Sequence, residues 1–140
     1  MFEKILVAND GSAGGMKALD VAIELAAMCN AHIESLSVEE ALPHYAATIG
    51  EVEETKRQKD AFFEDLRARS QERAEARGVK LRFHVVPGHE VETIVRHCKE
   101  GEFDLLVIGF LGHSSVWGRI WGSTSQNLAR LAPCSVLIVK

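Results

Sequence analysis

Residues 4–38 read KILVANDGSAGGMKALDVAIELAAMCNAHIESLSV, and this run decides the fold class. It opens on Lys4-Ile5-Leu6-Val7-Ala8, a continuous apolar stretch of the kind that forms a strand buried on both faces. Asn9-Asp10-Gly11-Ser12 is a turn by composition. Beyond it, apolar residues fall at Ala18, Val21, Ala22, Leu25, Ala26 and Cys29, the one-sided stripe of an amphipathic helix, and Asn30 supplies a stop. His32 to Val38 then reads as a second strand. A strand, a helix and a strand in this order form a crossover unit, which makes the two strands parallel.

The alternation continues to the end of the chain. From about Glu51 to Arg77 the residues are strong helix formers carrying both charge signs, with Glu53 and Arg57 four apart and Gly78 where a C-cap belongs. Its weak apolar stripe is Val52, Phe62, Phe63 and Leu66. Leu81 to Val86 predicts a third strand closed by Pro87-Gly88, and Val91, Ile94, Val95 and Cys98 predict a short helix ending at Gly101. Leu105-Leu106-Val107-Ile108 is the fourth strand and the most hydrophobic of the set. Ser123 followed by Gln126 resembles a capping box opening a fourth helix that ends before Pro133, and Ser135 to Val139 closes as a fifth strand. Five strands with four helical crossovers predict an α/β fold: a Rossmann-like, open, twisted five-stranded parallel sheet with four helices on two faces. With no repeat or linker, residues 1–140 are expected to form a single domain.

Composition narrows the partners. A chain of 140 residues, 46% hydrophobic and 26% charged, can bury a core that needs no staples. A net charge of −4 argues against general nucleic-acid binding, which draws on excess Lys and Arg. Cys29, Cys98 and Cys134 form no CxxC spacing and are expected as small buried hydrophobes in a reducing cytoplasm. The N-terminal apolar run, Ile5 to Ala8, is too short for a signal peptide or membrane span, so a soluble cytoplasmic protein is expected.

In a sheet of this kind ligands bind beyond the carboxyl ends of the strands, where the strand order reverses. Two loops with unusual chemistry fall there. After strand one, Asp10 offers a carboxylate to ribose hydroxyls or a divalent ion, and a cap or Asx turn accounts for it equally well. After strand four comes Gly109-Phe110-Leu111-Gly112, then nine residues, then Gly122-Ser123-Thr124 opening a helix. Glycine lets a ligand approach the backbone, and unpaired N–H groups at a helix start attract phosphate. Tight turns need the same glycines, and capping competes for the Ser123 hydroxyl. No Gly-x4-Gly-Lys phosphate loop and no Gly-x-Ser-x-Gly elbow is present. The six histidines are scattered: His84 and His89 flank Pro87-Gly88 and His97 lies near by, without zinc-ligand spacing, so they read as surface or packed residues. His44 and Tyr45 fall in the loop after strand two, near the expected pocket mouth.

The order of these features resembles the universal stress protein family, over essentially all 140 residues. The carrying residues are Ile5 to Ser12, Ser37-Val38, the Gly-x2-Gly-x9-Gly-Ser pattern from Gly109 to Ser123, and Ala132-Pro133-Cys134-Ser135 with the strand that follows. The resemblance implies strand order 3-2-1-4-5 and an ATP- or AMP-binding regulatory protein of the stress response. It assigns ribose and phosphate to Gly109, Gly112, Gly122 and Ser123, with Thr124 beside them. Asp10 would contact the nucleotide, with Mg²⁺ as a companion ion, while Val38 would read adenine and Ala8 line the pocket through their backbones. It also implies a homodimer through the C-terminal strand, Ser135 to Val139.

Two departures stand out: His113 replaces the arginine usual after the second glycine, and the following segment carries Val116, Trp117, Ile120 and Trp121 with one cation, Arg119. A neutral imidazole attracts phosphate less than a fixed charge does, and the tryptophan segment reads as packed on its own domain, as a lid or as a subunit contact. The expected mechanism is a sensor, in which nucleotide orders residues 110–121 and alters a surface that partners read. Two alternatives are a slow ATPase or autophosphorylating enzyme using Ser114, Ser115 or Ser123, and an interaction module with an empty site. No general base is evident for the first, and the intact glycine spacing opposes the second.

Overall fold

The computed structural model describes residues 1–40, 48–110 and 123–140. Nine elements follow in order: β1 (Lys4–Ala8), α1 (Ala13–Cys29), β2 (His32–Glu39), α2 (Ile49–Ala76), β3 (Leu81–Pro87), α3 (Glu90–Glu100), β4 (Leu105–Gly109), α4 (Ser123–Leu131) and β5 (Ser135–Val139). The five strands form one sheet of order β3-β2-β1-β4-β5, every neighbouring pair parallel. The alternating pattern therefore has the architecture it implied.

Alternate residues of each strand feed two separate cores, which is why the strands read as unbroken apolar runs. Ile5, Val7, Ile33, Phe83, Leu105 and Val107 pack against α1 and α2, through Leu19, Ala22, Ile23 and Leu66 among others. On the opposite face Leu6, Leu36, Leu106 and Ile108 meet Ile94 and Cys98 of α3 and Leu128 of α4. Burial pushes the Cys98 thiol up to about 12, with Cys134 next to it, so Cys98 behaves as a hydrophobe. Cys29 and Cys134 are only half-buried, less than the sequence suggested.

Helix ends follow local chemistry. Asn30 stops α1 in the left-handed conformation, φ 51°, its N–H donating to the Ala26 carbonyl. Gly78 follows α2 at φ +67°, the conformation that only glycine adopts without cost. The start of α2 carries a capping box that the sequence reading passed over: Glu51 N–H donates to Thr48 Oγ1, and Thr48 N–H to the Glu51 carboxylate. The apolar stripe expected on α2 holds only in part. Leu66 is buried and Phe63 packs on the core, but Val52 is 43% exposed and Phe62 38%. Only Leu66, Ser70 and Ala74, spaced by four, are buried along this helix. Exposed ion pairs join the end of this helix to α1, Arg73 with Asp20 and, at the C-cap, Arg77 with Glu24.

Candidate functional site

The parallel pairing of β1 with both β2 and β4 makes the end of β1 the reversal point of the sheet. Ala8, the last residue of β1, pairs with Leu36 on one side and Ile108 on the other. The Asp10 loop and the end of β4 are therefore neighbours, and β2 runs past its last pair with β1, carrying Val38 to the same edge. Ser37 fixes this corner, its hydroxyl donating to the Asn9 carbonyl at 2.7 Å.

The turn after β1 is organised by its own side chains. Gly11 N–H donates to Asn9 Oδ1 at 2.9 Å, and Ser12 donates to Asp10 Oδ1 through both its N–H (2.9 Å) and its hydroxyl (2.5 Å). Ser12 is itself the N-cap of α1, accepting from Gly15 N–H at 3.0 Å. The Asx-turn role weighed for Asp10 is thus present, while the cap falls to Ser12, which the sequence reading did not single out. Gly15 is required by the same arrangement, because a Cβ there would stand 2.4 Å from Asn9 Oδ1 and 2.9 Å from Asp10 Oδ1. Gly11, at φ +82°, lies beneath the Phe62 ring of α2.

Gly109 has a structural reason of its own. A Cβ at this position would lie 2.6 Å from the Gly14 carbonyl oxygen, so the first turn of α1 crosses directly over the end of β4. Close helix–strand packing, not weighed at the sequence level, accounts for this glycine. Of the other expected residues, Thr124 is the half-buried second residue of α4, and Ser123 opens that helix. Gly112, His113, Gly122, the Ser123 side chain, Ser114, Ser115, Trp117, Trp121, His44 and Tyr45 lie outside the described residues.

One participant was missed by the sequence reading. Glu90, the first residue of α3, is held above the usual carboxylate range chiefly by burial and further by the charges of Asp10 and Glu40. Three carboxylates thus converge at the strand ends, and a groove between α3 and α4 that includes Glu40, Glu90 and Thr124 opens there. Such an edge favours a ligand that brings a cation or little negative charge. No signal in the sequence places residues 10, 40 and 90 together, since they meet only through the β1-β2-α3 geometry.

Comparison with known proteins settles what this geometry belongs to. The Universal stress protein family model matches residues 1–140. The chain belongs to the universal stress protein family. Among curated relatives, the universal stress protein YxiE of Bacillus subtilis is 32% identical, covering all of both chains. Universal stress protein Rv1636 of Mycobacterium tuberculosis is also 32% identical, over 99% of this chain and 96% of its own. Among solved structures, the universal stress protein UspA from Lactobacillus plantarum superposes with a TM-score of 0.86 at 27% identity, covering 99% and 98% of the two chains. A universal stress protein in complex with cAMP superposes at 0.78, also 27% identical, covering 99% and 97%. Among the described residues, no helix is long and apolar enough to cross a membrane.

Proposed function

We propose that residues 1–140 act as one adenine-nucleotide-binding regulatory domain of the stress response, which holds its ligand as a signal without rapid turnover. The observation that carries this reading is the placement of the Asp10 loop beside the end of β4 at the reversal of the sheet, with the glycine pattern following directly in sequence. The relative in complex with cAMP supports the adenine class. In this reading Val38 and Ala8 meet the base through their backbones, Asp10 the ribose or a Mg²⁺ ion, and Gly109, Gly112, His113, Gly122, Ser123 and Thr124 the ribose and phosphate side. The absence of a phosphate-loop lysine argues for holding over phosphoryl transfer. The working unit is a homodimer joined through Ser135 to Val139.

Denaturing the purified protein and identifying released nucleotide by chromatography tests the ligand class. Titration of nucleotide-free protein with ATP, AMP and cAMP then ranks the ligands. Gly112→Leu is expected to abolish binding with the circular dichroism spectrum unchanged, because a side chain there intrudes on the phosphate path. Binding as in the parent would move the site elsewhere. The convergence of Asp10, Glu40 and Glu90 predicts weaker ATP binding in EDTA than with Mg²⁺, and equal affinities would remove the ion from the proposal. Turnover faster than nucleotide exchange would replace the sensor with an enzyme.

A further inference from the structure

Nearer the start of β2, on the face covered by α3, a second constellation is built on Glu34. Glu34 is 8% exposed and faces α3 with its strand neighbour Leu36. Its polar contacts are imidazoles from three directions. His32 Nε2 lies 2.5 Å from Oε2, His84 Nε2 of β3 lies 2.7 Å from Oε1, and His97 Nε2 of α3 lies 3.7 Å from Oε1. One ligand atom each from Glu34, His84 and His97 falls within a 4.8 Å span. The donor atoms of a tetrahedral zinc site, with bonds of about 2.0–2.2 Å, stand about 3.4 Å apart, so small side-chain rotations bring these three onto one ion.

We propose that Glu34, His84 and His97 form a binding site for a divalent late first-row transition ion, zinc foremost. Two imidazoles and one carboxylate are the donor set such ions favour, whereas magnesium and calcium take oxygen. A water completes the fourth position, and His32 holds the second carboxylate oxygen of Glu34. The ring of His97 is already oriented, stacked on Phe103 at 5.8 Å and tilted 53° to the His84 ring. Ligation through Nε2 requires that nitrogen to be unprotonated, with the single proton of each imidazole on Nδ1. The ion ties edge strand β3 to β2 and α3. The site is separate from the nucleotide reading: Glu34 lies four residues before Val38, about 13 Å along the strand.

The test uses untagged protein stripped with EDTA and free of nucleotide, titrated with Zn²⁺ by calorimetry against a competing chelator. One ion per chain with a Kd of micromolar or tighter is expected. Glu34→Gln, His84→Ala and His97→Ala are each expected to weaken binding at least tenfold, while His89→Ala leaves it unchanged. Co²⁺ bound to the parent protein is expected to give the intense visible bands of tetrahedral coordination, a readout independent of whether any variant folds. Absence of saturable binding, a weak octahedral Co²⁺ spectrum, or undiminished affinity in folded His84→Ala/His97→Ala protein would each overturn the site. Failure of nucleotide binding leaves this outcome untouched, since no nucleotide is present.

Discussion

Glu90 shows how one side chain couples the site to stability. Burial, with Asp10 and Glu40 near by, raises its carboxyl above the usual range, so the folded state holds this proton more tightly than the unfolded chain does. The corresponding stabilisation is complete below the unfolded value near 4.5 and is lost as pH rises through the folded one. Above that range the burial of this carboxyl opposes folding. Glu90→Gln is therefore expected to raise Tm at pH 7 by a few degrees relative to the parent, with the gap closing towards pH 4. A gap independent of pH in thermal melts would show that ionisation is not the cause. Glu90 was illegible in the sequence because its perturbation comes from residues far apart along the chain. The same holds for Glu34, His84 and His97, whose spacing in sequence carries no ligand signature. Gly109, by contrast, stands out in the sequence as a ligand or turn glycine, whereas the atoms it makes room for in the structure belong to the backbone of α1.

Among the elements, legibility follows how completely a segment is buried. The strands and α1 could be read because their apolar patterns face filled cores on one or both sides. The reading of α2 failed at Val52 and Phe62 because a helix that buries three residues along its length leaves little pattern to read. The start of α1 is the element on which the site depends most. Ser12 caps it and at the same time donates to Asp10, so one hydroxyl joins helix stability to the position of the candidate ligand-binding carboxylate. Ser12→Ala removes both bonds and is expected to cost about 1–2 kcal/mol. Urea unfolding should show a lower midpoint with an unchanged slope. Nucleotide affinity should fall as well, whereas a variant that loses stability but binds as the parent would detach Asp10 from the ligand.

At the scale of the whole molecule, the two edges of the sheet differ. Edge strand β3 reads Leu81-Arg82-Phe83-His84-Val85-Val86-Pro87, with the charge and proline that discourage further pairing. Edge strand β5 is Ser135-Val136-Leu137-Ile138-Val139, without either, and its four aliphatic side chains are all half-exposed. The Val139 carbonyl accepts from Phe110 N–H, at the end of β4, so the backbone groups of Val139 face inward. By alternation those of Val136 and Ile138 face outward, along an edge that no other described strand pairs. A two-fold axis beside β5 lets two copies satisfy these groups reciprocally in an antiparallel ladder, extending five strands to about ten. Light scattering should then give twice the 15.4 kDa chain mass at micromolar concentration. Ile138→Pro removes an outward donor without taking one from the ladder with β4, and should yield a folded monomer by the same measurement. A parent protein of 15.4 kDa, or a proline variant that remains dimeric, would place the subunit contact away from β5.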